Sequence, residues 1–155
     1  MDEQTMRKDA EEMLSCFMDA GEIEDVAKAY LIYEVDPDTR YYKLTAEVAI
    51  EKYPLRKPTE EERVEALGIL RRKKRISANM RNTIDFINQE IDGYARQTPT
   101  DLVHLQKKLG AEQGYREFTN NLYRERSSRF LSGDRAEERR LDTRLEEIAK
   151  KLIIK

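Results

Sequence analysis

The densest concentration of charge in the sequence is a run of five basic residues at positions 71–75. Six basic residues and no acidic one fall between positions 71 and 81. Such a segment can contact several phosphates of a nucleic acid or an acidic protein surface. More arginines follow between positions 116 and 129, near tyrosines able to stack on unpaired bases. The candidate binding residues are Arg71, Arg72, Lys73, Lys74, Arg75, Arg81, Arg116, Arg124, Arg126 and Arg129.

The sequence offers little support for catalysis. His104 is the only histidine and Cys16 the only cysteine, and the two lie far apart in the chain. A zinc site would therefore need carboxylates beside one imidazole, rather than the usual cysteine and histidine set. The chain also lacks a glycine-rich phosphate loop and a Gly-x-Ser-x-Gly turn. We therefore expect no enzymatic activity, no metal site and no cofactor.

Charge is abundant and unevenly distributed. Charged residues make up 39% of the 155 positions, against about 25% in an ordinary globular protein. Residues 1–54 contain 14 acidic and 6 basic residues, whereas the remainder contains 17 acidic and 23 basic residues. The net charge of −2 therefore divides into an acidic third, at −8, and a basic remainder, at +6. The two parts can pair with each other, between subunits, or with separate partners.

The compartment prediction rests on the cysteine count and on the apolar runs. A single cysteine permits no intrachain disulfide, which is typical of a reducing environment. The charged first residues do not resemble a signal peptide. No stretch approaches the roughly 18 to 20 apolar residues of a membrane span. We expect a cytoplasmic protein without a membrane partner.

The stretch 59–97 is predicted to form a long central helix. Thr59 and Glu62 have the spacing of a capping box, in which each side chain accepts a hydrogen bond from the other's backbone N–H. Met80, Ile84 and Ile87 belong to an apolar seam at helical spacing. Lys73 occupies a position where the helical spacing of this seam predicts an apolar residue. The segment is therefore one continuous helix, or two helices with Ser77 capping the second.

The residues before this stretch predict an acidic helical subdomain, 1–53, joined by a connector, 54–58, to a basic region, 59–155. Apolar stripes indicate helices from about position 5 to 20 and from 22 to 35. Residues 30–44 leave two alternatives, because a third helix from Asp36 and a small β-hairpin both fit the composition. Pro54 ends whatever element precedes it.

The last third of the chain predicts three helices. A short one begins near Thr100, and a second carries Tyr115, Phe118, Leu122 and Phe130. Ser132-Gly133 is predicted to end this second helix, and Asp134 is predicted to cap a final helix after it. The apolar seam of that helix is formed by Leu141, Leu145, Ile148 and Leu152.

Together these patterns predict an all-α, elongated helical bundle of five to seven helices around the 59–97 helix. The functional hypothesis is a non-catalytic interaction or regulatory protein that binds a protein or nucleoprotein assembly through its basic helical faces. The alternative is a protein that binds the phosphate backbone of DNA or RNA through the same arginines. Unpaired helical seams also allow a homodimer.

Overall fold

The computed structural model describes residues 2–19, 22–36, 38 and 40–155, with the backbone alone at 17–19 and 40–42. The described residues form six helices and no strand, so the fold is all-α, as predicted. The helices are α1 (Glu3–Asp19), α2 (Ile23–Val35), α3 (Arg40–Lys52), α4 (Glu60–Arg96), α5 (Thr100–Leu109) and α6 (Ala111–Lys151). Residues 30–35 lie in α2 and 40–44 in α3, so the hairpin alternative is wrong. The predicted cap at Asp36 with Pro37 lies partly outside the described residues.

The structure divides into two compact units. The first comprises Met1–Lys73 and Arg139–Lys155, and the second comprises Lys74–Glu138. The predicted connector 54–58 lies within the first unit, so the predicted domain boundary does not coincide with this division. Leu55 is buried and forms an antiparallel bridge with Ile153. The Arg56 N–H donates to the Leu152 carbonyl at 2.8 Å, which ties this segment to the end of the chain.

Each unit has its own core. The first unit buries one face of α1, α2 and α3 against the beginning of α4 and the end of α6. Its fully buried side chains include Leu14, Leu31, Leu145 and Leu152. The seam predicted from Leu141 to Leu152 is therefore packed inside this unit. In the second unit, Ala95, Leu102 and Phe118 form a smaller apolar cluster, with Leu105 and Leu122 packed against it.

Helix α6 runs without interruption through the predicted break at Ser132-Gly133. The prediction was wrong because one glycine in a helix costs only about 1 kcal/mol relative to alanine. Burial of the neighbouring Leu131, which is completely inaccessible to solvent, offsets that cost. A Cβ at Gly133 would meet no atom within 4 Å, so this glycine serves no close contact.

Helix α4 begins at the predicted capping box. The Glu62 N–H donates to Thr59 Oγ1 at 3.2 Å, and the Thr59 N–H donates to Glu62 Oε1 at 2.8 Å. Arg56 adds a two-pronged hydrogen bond to the same carboxylate, at 2.8 and 3.1 Å. The Arg56 guanidinium and the two Thr59 hydrogen bonds lower the pKa of Glu62 to about 2 against the opposing effect of burial.

This lowered pKa predicts an acid-sensitive contribution to stability. At pH 7, Glu62→Gln should lower the free energy of unfolding by about 1 to 2 kcal/mol. The loss is smaller than the full pKa shift implies, because Arg56 is partly exposed and solvent screens the ion pair. The contribution is complete above the ordinary glutamate pKa of 4.5 and is lost as pH falls towards 2. Urea unfolding at a series of pH values should therefore show the gap between the two proteins closing in acid.

Glu61→Gln is the matched control. It removes a carboxylate from the same first turn of α4, but Glu61 is exposed and has no ion pair within the described part of the chain. Glutamine at position 62 can still accept the capping hydrogen bond from Thr59. If both variants lose stability equally and with the same pH profile, the Arg56–Glu62 pair has no special contribution.

Candidate interaction surface

Many cations of the first unit are engaged within the protein. Arg63 Nη1 lies 3.0 Å from Glu34 Oε1, and Arg144 Nε lies 2.6 Å from Glu65 Oε1. Arg7 forms an ion pair with Glu51, and Lys28 with Glu146. Pairs of this kind hold helices in register, and they leave these cations less available to a partner.

Lys73 is half-buried and forms an ion pair with Asp142 of α6. Lys28 Nζ lies 3.9 Å from the same carboxylate. Lys73 is the residue that stands in the apolar seam of α4, and Asp142 supplies the compensating charge there. The basic run is therefore not fully exposed at this position, although Lys73 was predicted as a binding residue. Of the two alternatives for 59–97, the structure has the continuous one, because α4 has no break at Ser77.

The other residues of the basic run are exposed but do not share one surface. Each residue of an α-helix is rotated by about 100° from the one before, so five consecutive side chains surround the helix. Arg71, Arg72, Lys74 and Arg75 are all solvent-exposed. Arg71 and Arg75 have no carboxylate partner among the described residues, whereas Arg72 and Lys74 both have interactions. Arg75 and Lys74 belong to the second unit.

The remaining candidate arginines lie in the second unit. Arg81 on α4 and Arg116 and Arg124 on α6 are exposed, and no ion pair forms to them within the described residues. Arg126 differs, because its Nη1 lies 2.6 Å from Glu90 Oε2 of α4. The guanidinium of Arg129 instead lies over the Phe130 ring, 5.5 Å from its centroid, where a cation–π attraction operates.

Contacts between α4 and α6 fix the direction of the two helices in the second unit. Glu90 pairs with Arg126, and the Tyr94 ring stacks on Phe118 with centroids 5.8 Å apart. As the residue numbers rise along α4, those of its partners fall along α6. The two helices are therefore antiparallel here.

A polar cleft of about 520 Å³ opens between these helices in the second unit. Its walls carry Tyr115 and Tyr123, together with the amides of Asn88 and Asn120 and the carboxylate of Asp92. Tyr115 is 41% exposed. Aromatic rings and amides in one cleft are suited to a planar polar group such as an unpaired base.

Two exposed phenylalanines were missed by the sequence reasoning. Phe86 is 53% exposed and Phe130 is 46% exposed. Phe130 was assigned to an apolar stripe, but its neighbour Leu131 occupies the core position. The exposure of Phe86 could have been predicted from the sequence, because Phe86 lies next to Ile87, and Ile87 is the residue that belongs to the apolar seam of α4.

The residues considered for catalysis remain separate. His104 is exposed on α5, and the exposed Cys16 thiol donates only a weak hydrogen bond to the Glu12 carbonyl of its own helix. Within the described ranges, no group of three or more histidine, cysteine or acidic side chains is placed to hold a metal ion. The arrangement therefore offers exposed cations and rings rather than an assembled reaction centre.

Among the described residues, the Tyr30 hydroxyl is the one buried side-chain polar group that has no hydrogen-bond partner. Burial and the nearby Glu34 raise the pKa of Tyr30 to about 12, with Arg63 opposing that shift. The hydroxyl is therefore protonated at neutral pH. It lies within the core of the first unit and packs as an aromatic residue.

Comparison with known proteins gives no relative. No protein family, no curated protein and no solved structure matches the chain. Across the described residues, no helix combines the length and apolar character needed to cross a membrane.

Proposed function

We propose that this chain is a non-catalytic, cytoplasmic interaction protein with a regulatory role. In this proposal it binds an acidic surface of a larger protein or nucleoprotein assembly. The exposed arginines of the second unit supply the electrostatic attraction, and α4 is the element that organises the helices. The single observation that supports the proposal is the contrast in pairing between arginines.

Some arginines form ion pairs with carboxylates of other helices, whereas others face solvent without such a pair. Arg63 and Arg144 bind carboxylates of neighbouring helices, whereas Arg75, Arg81 and Arg124 have no such partner in the described structure. Unpaired surface arginines contribute little to folding, yet they raise the rate of encounter with an oppositely charged surface. Arginine also forms two-pronged hydrogen bonds with carboxylates, which adds specificity.

Charge reversal tests the proposal. Arg75→Glu with Arg81→Glu should weaken binding of a labelled glutamate-rich helical peptide by roughly tenfold at low salt, and by less at physiological salt. Helix content should be unchanged and the free energy of unfolding should move by no more than about 0.5 kcal/mol, because both positions are exposed. Fluorescence anisotropy, circular dichroism and urea unfolding measure the three quantities.

The matched control is Lys8→Glu with Arg140→Glu. It changes the net charge by the same amount at exposed positions of the first unit, where neither residue has an ion pair within the described residues. Equal weakening by both double variants would mean that only net charge matters. Unfolding of the Arg75/Arg81 variant would make these arginines structural and would contradict the proposal.

The second candidate function is binding to the phosphate backbone of nucleic acid, and the tyrosine cleft is the observation that favours it. Arg116 and Arg124 adjoin Tyr115 and Tyr123 along α6, so phosphate contacts and base stacking are available close together. The same anisotropy experiment with labelled single- and double-stranded oligonucleotides distinguishes the two functions. Binding that persists at physiological salt, with log affinity falling linearly with log salt, favours nucleic acid.

A further inference from the structure

The polar cleft between α4 and α6 is lined by side chains whose polar groups have no partner inside the protein. Asp92 supplies a carboxylate, and Asn88 and Asn120 supply amides. None of these three side chains forms a hydrogen bond or an ion pair with another described residue. The Thr119 hydroxyl, by contrast, donates to the Arg116 carbonyl at 3.1 Å. The cleft therefore offers one carboxylate and two amides to a ligand.

The register of the two helices places Asp92 beside Tyr123. The ion pair and the ring stack between these helices join positions 90 and 94 of α4 to positions 126 and 118 of α6. Asp92 lies midway between the two α4 positions, so it is level with position 122 of α6, next to Tyr123. Asn88 lies one turn before Asp92 on the same side of α4. One ring, one carboxylate and one amide are thus available to a single flat group.

The other ring of the cleft belongs to a neighbouring position. Tyr115 lies eight residues before Tyr123 on α6, which is about 12 Å along the helix. Rings at that spacing are suited to different bases of one strand rather than to the two faces of one base.

The carboxylate of Asp92 selects among the bases. A carboxylate only accepts hydrogen bonds, and its two oxygens are matched by two donors side by side. Guanine presents such a pair on its Watson–Crick edge, in the N1–H and the 2-amino group. Adenine, cytosine and uracil each present an acceptor beside their donor. The amides of Asn88 and Asn120 can donate to the guanine O6 or N7.

Arginines flank the amide of Asn120 on α6. Arg116 lies one turn before it and Arg124 one turn after it, so the three side chains share one side of the helix. Both arginines are exposed and can contact phosphates on either side of a bound base. Asp92 and Glu112, which lies one turn before Arg116, balance their charge. The hydrogen-bonding pattern of the cleft, rather than its net charge, therefore selects the ligand.

We propose that the cleft binds a guanine base of a single-stranded nucleic acid. The N1–H and the 2-amino group donate to the Asp92 carboxylate, and the base stacks on Tyr123. Arg116 and Arg124 contact the adjoining phosphates. The inference rests on the second candidate function and names the base that this site selects.

The test uses the full chain and four labelled RNA hexamers that differ only at one central base in a uridine background. The central base is guanine, hypoxanthine, adenine or uracil. Hypoxanthine is guanine without the 2-amino group, so it lacks one of the two donors. By fluorescence anisotropy at low salt, we expect the guanine hexamer to bind about tenfold more tightly than the adenine hexamer. Its advantage over the hypoxanthine hexamer should be about fivefold.

Asp92→Asn is the decisive variant. Asparagine presents one acceptor and one donor, so its amide opposes one of the two guanine donors. The preference for guanine over hypoxanthine should therefore disappear. This ratio is insensitive to general electrostatics, because the loss of a negative charge strengthens binding of both hexamers alike. Asp92 is exposed, so the circular dichroism spectrum and the melting temperature should be unchanged.

The matched control is Asp85→Asn. It removes an exposed carboxylate from the same helix, seven residues before Asp92. Asp85 does not line the cleft and has no ion pair within the described part of the chain. This variant should keep the full preference for guanine. If it loses the preference as Asp92→Asn does, or if Asp92→Asn retains it, the inference is overturned.

The outcomes separate this inference from the function on which it rests. If all four hexamers bind equally and log affinity falls linearly with log salt, nucleic-acid binding holds and the guanine assignment is wrong. If no hexamer binds at low salt, both fail. Guanosine monophosphate, added as a competitor, distinguishes a strand from a free nucleotide. Weak competition supports the strand, whereas competition equal to that of the unlabelled guanine hexamer overturns it in favour of the free nucleotide.

Discussion

Gly114→Ala is expected to destabilise the second unit by about 3 kcal/mol, at the upper end of the usual cost of overpacking. A Cβ at this position would lie 2.5 Å from Gln106 Cα, 2.6 Å from Gln106 N and 2.7 Å from the Leu105 carbonyl carbon. These are backbone atoms of α5, so no side-chain rotation relieves the contact. The chain must instead open the corner between α5 and α6, which separates Leu102 from Phe118 in the small core.

Gly133→Ala is the control in the same helix. No atom lies within 4 Å of the Cβ it would add, and its backbone is helical. Alanine there should stabilise the protein by about 1 kcal/mol, because glycine loses more conformational freedom on folding. Urea unfolding compares the two variants, and amide hydrogen exchange in α5 localises the effect. If Gly114→Ala is as stable as Gly133→Ala, the α5–α6 contact is not as close as described.

Local patterns in the sequence predicted local structure well. The capping box of Thr59 and Glu62 was predictable because both partners lie within one helical turn. The stretch 59–97 was expected to be helical, either as one helix or as two, and α4 spans Glu60–Arg96. The break at Ser132-Gly133 was wrongly predicted because the complete burial of Leu131, which local sequence does not reveal, outweighs a local preference.

The candidate surface was only partly predictable, because pairing is a long-range property. The ten basic residues were identified from composition, yet Lys73 and Arg126 are engaged by Asp142 and Glu90, which lie 69 and 36 positions away. Nothing near Lys73 in the sequence indicates that partner. The exposure of Phe86 and Phe130 was missed for the same reason, since burial of a helical side chain depends on what packs against that side of the helix.

Leu145→Ala is expected to lower the free energy of unfolding by about 2 to 5 kcal/mol. Leu145 is completely buried in the core of the first unit, among side chains of α6 and of the N-terminal helices. Removing its three terminal carbons loses their transfer free energy and leaves a cavity that a close-packed core fills only in part. Urea unfolding monitored by circular dichroism measures the change.

The control is Ile154→Ala, because Ile154 is 55% exposed near the end of the same chain segment. Truncating it should change the free energy of unfolding by no more than about 0.5 kcal/mol. The comparison also tests whether the Leu141–Leu152 seam is one of the helical seams through which a homodimer was considered from the sequence. If that seam pairs two copies, Leu145→Ala should shift the sedimentation coefficient at a protein concentration where the fold persists. If it only closes the core, stability falls and the sedimentation coefficient of the folded protein is unchanged, which is the result we expect from complete burial of Leu145 within one chain.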